Sequence, residues 1–182
     1  MSIAITGNPG VGKHTITREI AGKLNLPTLD INRIAKDSGL FERNDGTNDV
    51  DVKKLKKILG HKTSEKNIIV GHLAPYVLDK NQIKIMIVLR RSPYDLISIY
   101  QERKYTERKI RENTGSEILG VIAHDATHMF QEKVFQIDVT HQSISETVEK
   151  TMKLIRGNES HDNVDWLGLV TNNNDLKKFF SD

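Results

Sequence analysis

The chain contains no cysteine. That excludes disulfides, thiolate zinc sites, iron–sulfur clusters and cysteine nucleophiles, and makes a cytoplasmic location the simplest expectation. No apolar run approaches the ~20 residues needed to cross a bilayer; the longest, Asn67 to Leu73 and Ile83 to Leu89, are strand-length. The opening Met1-Ser2-Ile3-Ala4-Ile5 lacks the basic region and cleavage site of a signal peptide and reads as a first strand. There is no repeat of fixed period and no low-complexity tract. Nor is there a strong charge imbalance. A net charge of +3 permits a phosphate or nucleic-acid partner without demanding one. What remains is 182 residues, 37% hydrophobic and 28% charged with both signs present. That composition suits one globular domain able to bury a real core.

Patterning along the chain alternates strand and helix signals. Ser2 to Thr6 reads as a short buried strand ending at Gly7. Ile16, Ile20, Ala21 and Leu24 share one face of a helix over Lys13 to Leu24. A strand over Pro27 to Asp30 and a helix over Ile31 to Leu40 follow. Phe41 to Asn48 is polar and contains glycine, which predicts a loop, and Val52 to Leu59 predicts an amphipathic helix. Strands are expected at Asn67 to Val70 and at Ile83 to Leu89, the second apolar on both faces, as in a central parallel strand. Pro93 suits the first turn of a helix reaching Arg103. The charge-dense Tyr105 to Asn113 leads into one longer helix ending near Phe130 and carrying Ile118, Leu119, Ile122 and Met129. A fifth strand over Lys133 to Ile137 and a last helix over Ser145 to Ile155, capped by Ser143 or Ser145, complete the body. The tail beyond Gly157 holds Trp166, Leu167, Leu169, Phe179 and Phe180 and either docks on the body or awaits a partner. Alternation of this kind predicts an α/β fold, a parallel sheet with helices on both faces. Ligands of such folds bind beyond the carboxyl ends of the strands, which points to Gly7, Asp30, Gly71 and Arg90.

Gly7-Asn8-Pro9-Gly10-Val11-Gly12-Lys13 matches the first seven positions of a Walker A motif, between a strand and a helix. Glycines let the backbone curl so that successive N–H groups point at phosphate oxygens, the helix N-terminus adds partial positive charge, and Lys13 adds a full one. The motif departs from its pattern at His14, where Ser or Thr is usual; Thr15 keeps a hydroxyl one step later, placed for a phosphate or Mg²⁺.

The loop extended to Gly-Asn-Pro-Gly-Val-Gly-Lys-His-Thr resembles that of adenylate kinase isoenzyme 6, the coilin-interacting nuclear ATPase protein family, in its archaeal type. Further segments agree. Val50-Asp51 followed by Leu55 resembles the close of the family's monophosphate-binding region, and Ile69-Val70-Gly71-His72-Leu73 resembles its Asp-x-His segment. Ile87-Val88-Leu89-Arg90, the run from Arg103 to Asn113 and Glu117-Ile118 resemble its strand, lid and following helix, and Val164-Asp165-Trp166 resembles an archaeal ending. The resemblance implies a P-loop NTPase of three αβα layers, with a five-stranded parallel sheet, nucleoside monophosphate kinase-like. It implies one kinase domain over residues 1–157, with a monophosphate-binding insert at about 30–53 and a lid at about 102–112, and a separate tail over 158–182.

By position, the resemblance assigns ATP phosphates to Gly10, Val11, Gly12, Lys13, His14 and Thr15, with Thr15 also facing Mg²⁺. Lys13, His72 and Arg103 become the catalytic set, Arg103 as a lid arginine over the transferring phosphate and His72 as the histidine supporting catalysis. The AMP site lies between Asp30 and Lys53, with Lys36 where the family has arginine, and Gln142 stands where a lysine is expected against the adenine. The family's acid two places before His72 is Val70, so Mg²⁺ needs another carboxylate, for which Asp30 is the candidate. The implied activity is ATP + AMP to 2 ADP with ATP hydrolysis, linked to maturation of the small ribosomal subunit through a platform ribosomal protein and pre-rRNA, by a monomer with no membrane contact. An ATP-driven assembly switch with little kinase activity is the rival, and a kinase with a non-nucleotide acceptor a third reading. Arg103, Arg108, Lys109 and Arg111 also fit a solvated helix face, as do Lys53, Lys54, Lys56 and Lys57. His124 and His128 have the four-residue spacing of a helical metal pair, but no third ligand is evident and a solvent-facing pair is the simpler reading.

Overall fold

The computed structural model describes residues 1–44, 47–63, 66–158 and 161–180. Its main sheet joins β1 (Ser2–Thr6), β2 (Thr28–Asp30), β5 (Ile68–Val70), β6 (Ile83–Arg90) and β7 (Val134–Asp138) in the order β2-β5-β1-β6-β7. Every pairing in it is parallel. In register, Ile3 lies opposite Ile68 on one side and Ile85 on the other. All five residues of β1 are buried. A central parallel strand covered on both faces has no solvated side, which explains its apolar run.

Helices cover both faces. Ile16 and Ile20 of α1 (Lys13–Leu24), Leu96 and Tyr100 of α5 (Pro93–Glu102), and Val148 and Met152 of α8 (Ile144–Arg156) close one core with Ile3, Ile5 and Ile87. The other core is built by α2 (Ile31–Asp37), α3 (Val52–Lys62), α4 (Ala74–Val77) and α7 (Val121–Phe130), whose Ile31, Leu55, Val77 and Phe130 pack with Ala4, Met86 and Val88. Ser143 caps α8 through a reciprocal box with Glu146.

Several expectations need correction. The 41–48 stretch, read as a loop, contains β3 (Phe41–Asn44) and β4 (Thr47–Val50), an antiparallel pair in which Phe41 lies opposite Val50; residues 45 and 46 lie outside those described. Its polar sequence hid the pairing, because backbone hydrogen bonds and not an apolar stripe define a small hairpin. The helix expected to reach Leu40 stops at Asp37, where Gly39 turns the chain at φ 64°. The long helix expected to end near Phe130 is two helices, α6 (Glu107–Ile118) and α7, broken at Gly120 with φ 63°. Leu119 and Met129 are exposed, while Ile118 and Ile122 are buried.

The tail docks. Trp166 and Val170 of α9 (Trp166–Asn172) and Phe179 of α10 (Leu176–Phe180) form a third apolar cluster with Ile118 of α6. Tyr94 on α5 donates its hydroxyl to Asp175 at 2.7 Å and meets the Phe179 ring edge-on at 5.3 Å. Asp162 accepts from the Asp138 backbone N–H and from Lys150.

Candidate functional site

β1 delivers the chain into the phosphate loop, and α1 leaves it. Gly7 takes φ 136°, where a Cβ would meet the Leu89 carbonyl oxygen at 2.4 Å. Gly12 caps α1 at φ 89°, a left-handed conformation that favours glycine, with nothing within 4 Å of where its Cβ would be. Tyr100 donates its hydroxyl to the Pro9 carbonyl at 2.6 Å, and so α5 supports the loop from below.

Lys13 is 5% exposed. Its ammonium donates to the Asn8 carbonyl at 3.2 Å. Among the described residues no carboxylate pairs with it. Its pKa is lowered to about 8, chiefly by burial and then by the positive Arg103, against the opposing pull of Asp30 and Glu117. A desolvated ammonium at a helix N-terminus, beneath glycine-opened amides, is an anion site.

The field around Lys13 also shows what the fold assembles. Arg103, at the C-terminus of α5, acts on Lys13 electrostatically although its own side chain is exposed. His72 follows the buried Gly71 at the end of β5; burial, then Lys13, then His14 lower its pKa to about 4. Its ring is therefore neutral at neutral pH, able to donate one hydrogen bond and accept another. His14, exposed on the first turn of α1, sits with Nε2 at 3.1 Å from Asp30. Asp30 also caps α2 by accepting from the N–H groups of Asn32 and Arg33 at 2.9 and 3.2 Å. Its pKa is lowered, chiefly by the His14 hydrogen bond. His14, Arg18, Asn25, Asp30 and Val70 line an open cleft of about 650 Å³ beside the loop, which does not include Lys13, His72 or Arg103.

The other expected residues are more dispersed. Thr15 is half-buried on the first turn of α1, and Lys36 is exposed on the last turn of α2. Gln142, after β7, accepts from Thr147 at 3.3 Å and lines a separate shallow hollow with Glu146, Glu149, Lys150 and Lys153. Arg108 pairs with Glu112 at 2.8 Å on the solvent side of α6. Lys54 and Lys56 pair with Asp51 and Asp79. His124 and His128 are exposed, while Asp125 between them accepts from Tyr76 at 2.6 Å. Among the described residues, no three His, Cys, Asp or Glu side chains are grouped to hold a metal ion. That does not conflict with Mg²⁺ carried in by a nucleotide, since Mg²⁺ beside phosphates keeps several waters and needs one or two protein oxygens. Of the two residues expected to face Mg²⁺, Thr15 lies on the first turn of α1, whereas both Asp30 carboxylate oxygens already hold partners.

Sequence reasoning missed a buried node beneath the loop. Glu117 of α6 is 1% exposed. Its Oε1 accepts from Arg90 Nε at 2.7 Å, the Arg91 N–H at 3.1 Å and Trp166 Nε1 at 3.1 Å. Its Oε2 accepts from the Asn8 side chain at 2.7 Å. Arg90 also donates to the Glu117 carbonyl at 2.8 Å and to Gln136 at 2.7 Å, so its whole fork is used internally. A signal existed: Ile110, Thr114, Glu117 and Ile118 share one helical stripe, and a carboxylate on an apolar stripe needs a buried partner.

The comparisons agree with this geometry. A family model described as AAA domain matches residues 3–120. A relative from Methanosarcina barkeri (strain Fusaro / DSM 804), named "Putative adenylate kinase", is 33% identical over 187 residues, covering 93% of this chain and 100% of its own length. One of the same name from Thermococcus kodakarensis is 33% identical over 86% of each chain. Among solved structures, shikimate kinase from Bacteroides thetaiotaomicron matches with TM-score 0.62 at 19% identity, covering 86% of this chain and 98% of that one. Shikimate kinase from Acinetobacter baumannii, solved with shikimate, matches with TM-score 0.56 at 20% identity, covering 87% and 94%. Identities that low speak for the fold, a P-loop kinase-like αβα sandwich. With the loop, the parallel sheet and the archaeal relatives in agreement, the chain belongs to the AAA-domain family of that model and, within it, to the archaeal adenylate kinase-type group.

Proposed function

We propose that the protein is an ATP-binding phosphotransferase of adenylate kinase type, converting ATP and AMP to two ADP, with slow ATP hydrolysis when no acceptor is present. The observation that carries this reading is Lys13, a buried ammonium at the N-terminus of α1 with no carboxylate paired to it among the described residues. Phosphoryl transfer asks mainly for positioning and charge neutralisation. In this reading Gly10 to Thr15 hold the ATP phosphates, and the Thr15 hydroxyl is the group that would hold Mg²⁺, whose charge would offset that of the phosphates. Arg103 closes from the lid at 102–112. His72, neutral and half-buried, orients the acceptor phosphate or a water. AMP sits in the insert at 30–53, near Asp30 and Lys36, and Gln142 lies toward the adenine. The kinase body spans 1–157, and the tail 158–182 follows it.

A second reading has its own support. Val70 puts an apolar, buried side chain where a carboxylate would hold Mg²⁺, and Asp30 is engaged by His14. A weakly held metal suits an ATP-dependent switch with little turnover, working on a platform ribosomal protein and pre-rRNA during small-subunit maturation. ADP formation from ATP with and without AMP separates the two. Strict AMP dependence supports the kinase; phosphate release independent of AMP and stimulated by a ribosomal protein supports the switch. His72→Ala should lower turnover by roughly tenfold or more; unchanged turnover removes its role.

A further inference from the structure

One unbroken hydrogen-bonded path runs from the tail to the phosphate loop. Trp166 Nε1 donates to Glu117 at 3.1 Å, Asn8 Nδ2 donates to the other oxygen of the same carboxylate at 2.7 Å, and Lys13 Nζ donates to the Asn8 carbonyl at 3.2 Å. Ser116 donates to Asn8 Oδ1 at 3.2 Å, so the Asn8 amide is held at both ends by α6. Every member is at least nine-tenths buried, apart from Ser116. The chain enters this path from beyond the body: α9 starts at Trp166, and its Asp165 cap accepts from the Gly168 N–H at 2.8 Å. Behind Trp166, Val170 and Phe179 pack on Ile118, the neighbour of Glu117.

Glu117 has more to do than satisfy Arg90. Arg90 and Arg91 engage one of its oxygens and leave the other to Asn8. The second position of the phosphate loop is therefore fixed by α6, and α6 is fixed by the tail. We infer that Trp166, Glu117 and Asn8 are positioning residues for the nucleotide site, so that docking of the C-terminal segment sets the phosphate loop and loop occupancy is felt at Trp166. This rests on the reading that the loop binds ATP phosphates. A buried hydrogen-bonded network has few alternative arrangements, so a shift at one end is passed on instead of being absorbed.

Trp166 is the single tryptophan of the chain, which makes its fluorescence a direct reporter. In the full-length protein, titration with ADP or ATP should shift Trp166 emission, and Asn8→Ala should abolish most of that shift while leaving the unliganded spectrum similar. Trp166→Phe removes the Nε1–H and keeps an aromatic ring. It should raise the KM for ATP by roughly three- to tenfold with little change in kcat or in the KM for AMP. A merely structural role would lower the melting temperature and the active fraction, and so scale kcat, without moving the KM for ATP. The Asn8→Ala, Trp166→Phe double variant should be no worse than the poorer single one; additive effects would overturn the coupling. Should Trp166→Phe fail to fold, the wild-type and Asn8→Ala fluorescence titrations still decide. Nucleotide binding seen by calorimetry with no change at Trp166 and no effect of Asn8→Ala defeats this inference alone. Absence of any nucleotide heat from wild-type protein defeats the ATP reading and the inference with it.

Discussion

Two buried cations lie at the carboxyl ends of neighbouring strands, and they are treated in opposite ways. Arg90, ending β6, is 3% exposed and spends its guanidinium on Glu117 and Gln136. Lys13, just beyond β1, is 5% exposed and, among the described residues, donates only to the Asn8 carbonyl. Taking a charge out of water costs several kcal/mol unless a partner compensates. The Arg90 pair answers that cost within the protein and belongs to the architecture. Lys13 leaves it unanswered, as a site meant for an external anion must. The difference teaches how to sort buried charges: complete internal pairing marks structure, and deficient pairing at an open helix N-terminus marks function.

Breaking the paired side should have the largest effect on stability. Glu117→Ala strands Arg90 and also leaves Trp166 and the Asn8 amide without their acceptor. It should cost about 3–5 kcal/mol, read by chemical denaturation; a loss under 1 kcal/mol would show that Arg90 finds other partners. Breaking the unpaired side should do the reverse. Lys13→Ala should weaken ATP binding by roughly a hundredfold or more by calorimetry, yet leave thermal stability unchanged or raised, because a desolvated charge is removed. A large drop in melting temperature would mean that Lys13 is structural.

The contrast sharpens with pH. The Lys13 ammonium is held at about 8 in the folded chain against 10.5 when unfolded. Above pH 8 the unfolded state binds the extra proton, so the Lys13 contribution to stability rises with pH there. ATP affinity should run the other way, falling by up to about tenfold per pH unit above 8 as the ammonium is lost. Calorimetry in buffers of differing ionisation enthalpy should show proton uptake on ATP binding near pH 8.5, about half a unit above that midpoint; equal heats across buffers would refute it. The smallest effect is expected where a pair lies in solvent. Arg108→Ala breaks the exposed contact with Glu112, and should leave both the melting temperature and the KM for ATP where they were. A changed KM would give Arg108 a role at the nucleotide.

The loop and the sheet were legible because their signals are local. Glycines at fixed offsets before a helix, and apolar runs of strand length, carry their meaning within a few residues. The β3–β4 hairpin was not legible, since a polar sequence leaves no hydrophobic period to mark its strands. The break at Gly120 was readable in principle, as a single glycine inside an apolar pattern is weak evidence for a stop until the chain is seen to turn there. Glu117 stands in the sequence as one acid of a helix, but its burial depends on Arg90, twenty-seven residues away in sequence, and on Trp166, forty-nine away.

By itself the sequence determined the α/β class, the phosphate loop and its lysine, and the absence of cysteine chemistry, since each follows from residue identity and short-range geometry. Only the tertiary structure decided that the tail docks, that His72 is neutral, that Arg103 and Asp30 act on the field at Lys13, and that one carboxylate ties the tail to the loop. Burial and charge–charge distance are properties of the packed chain: the same Lys and His titrate normally in water, and acquire their roles only when the fold removes the solvent around them.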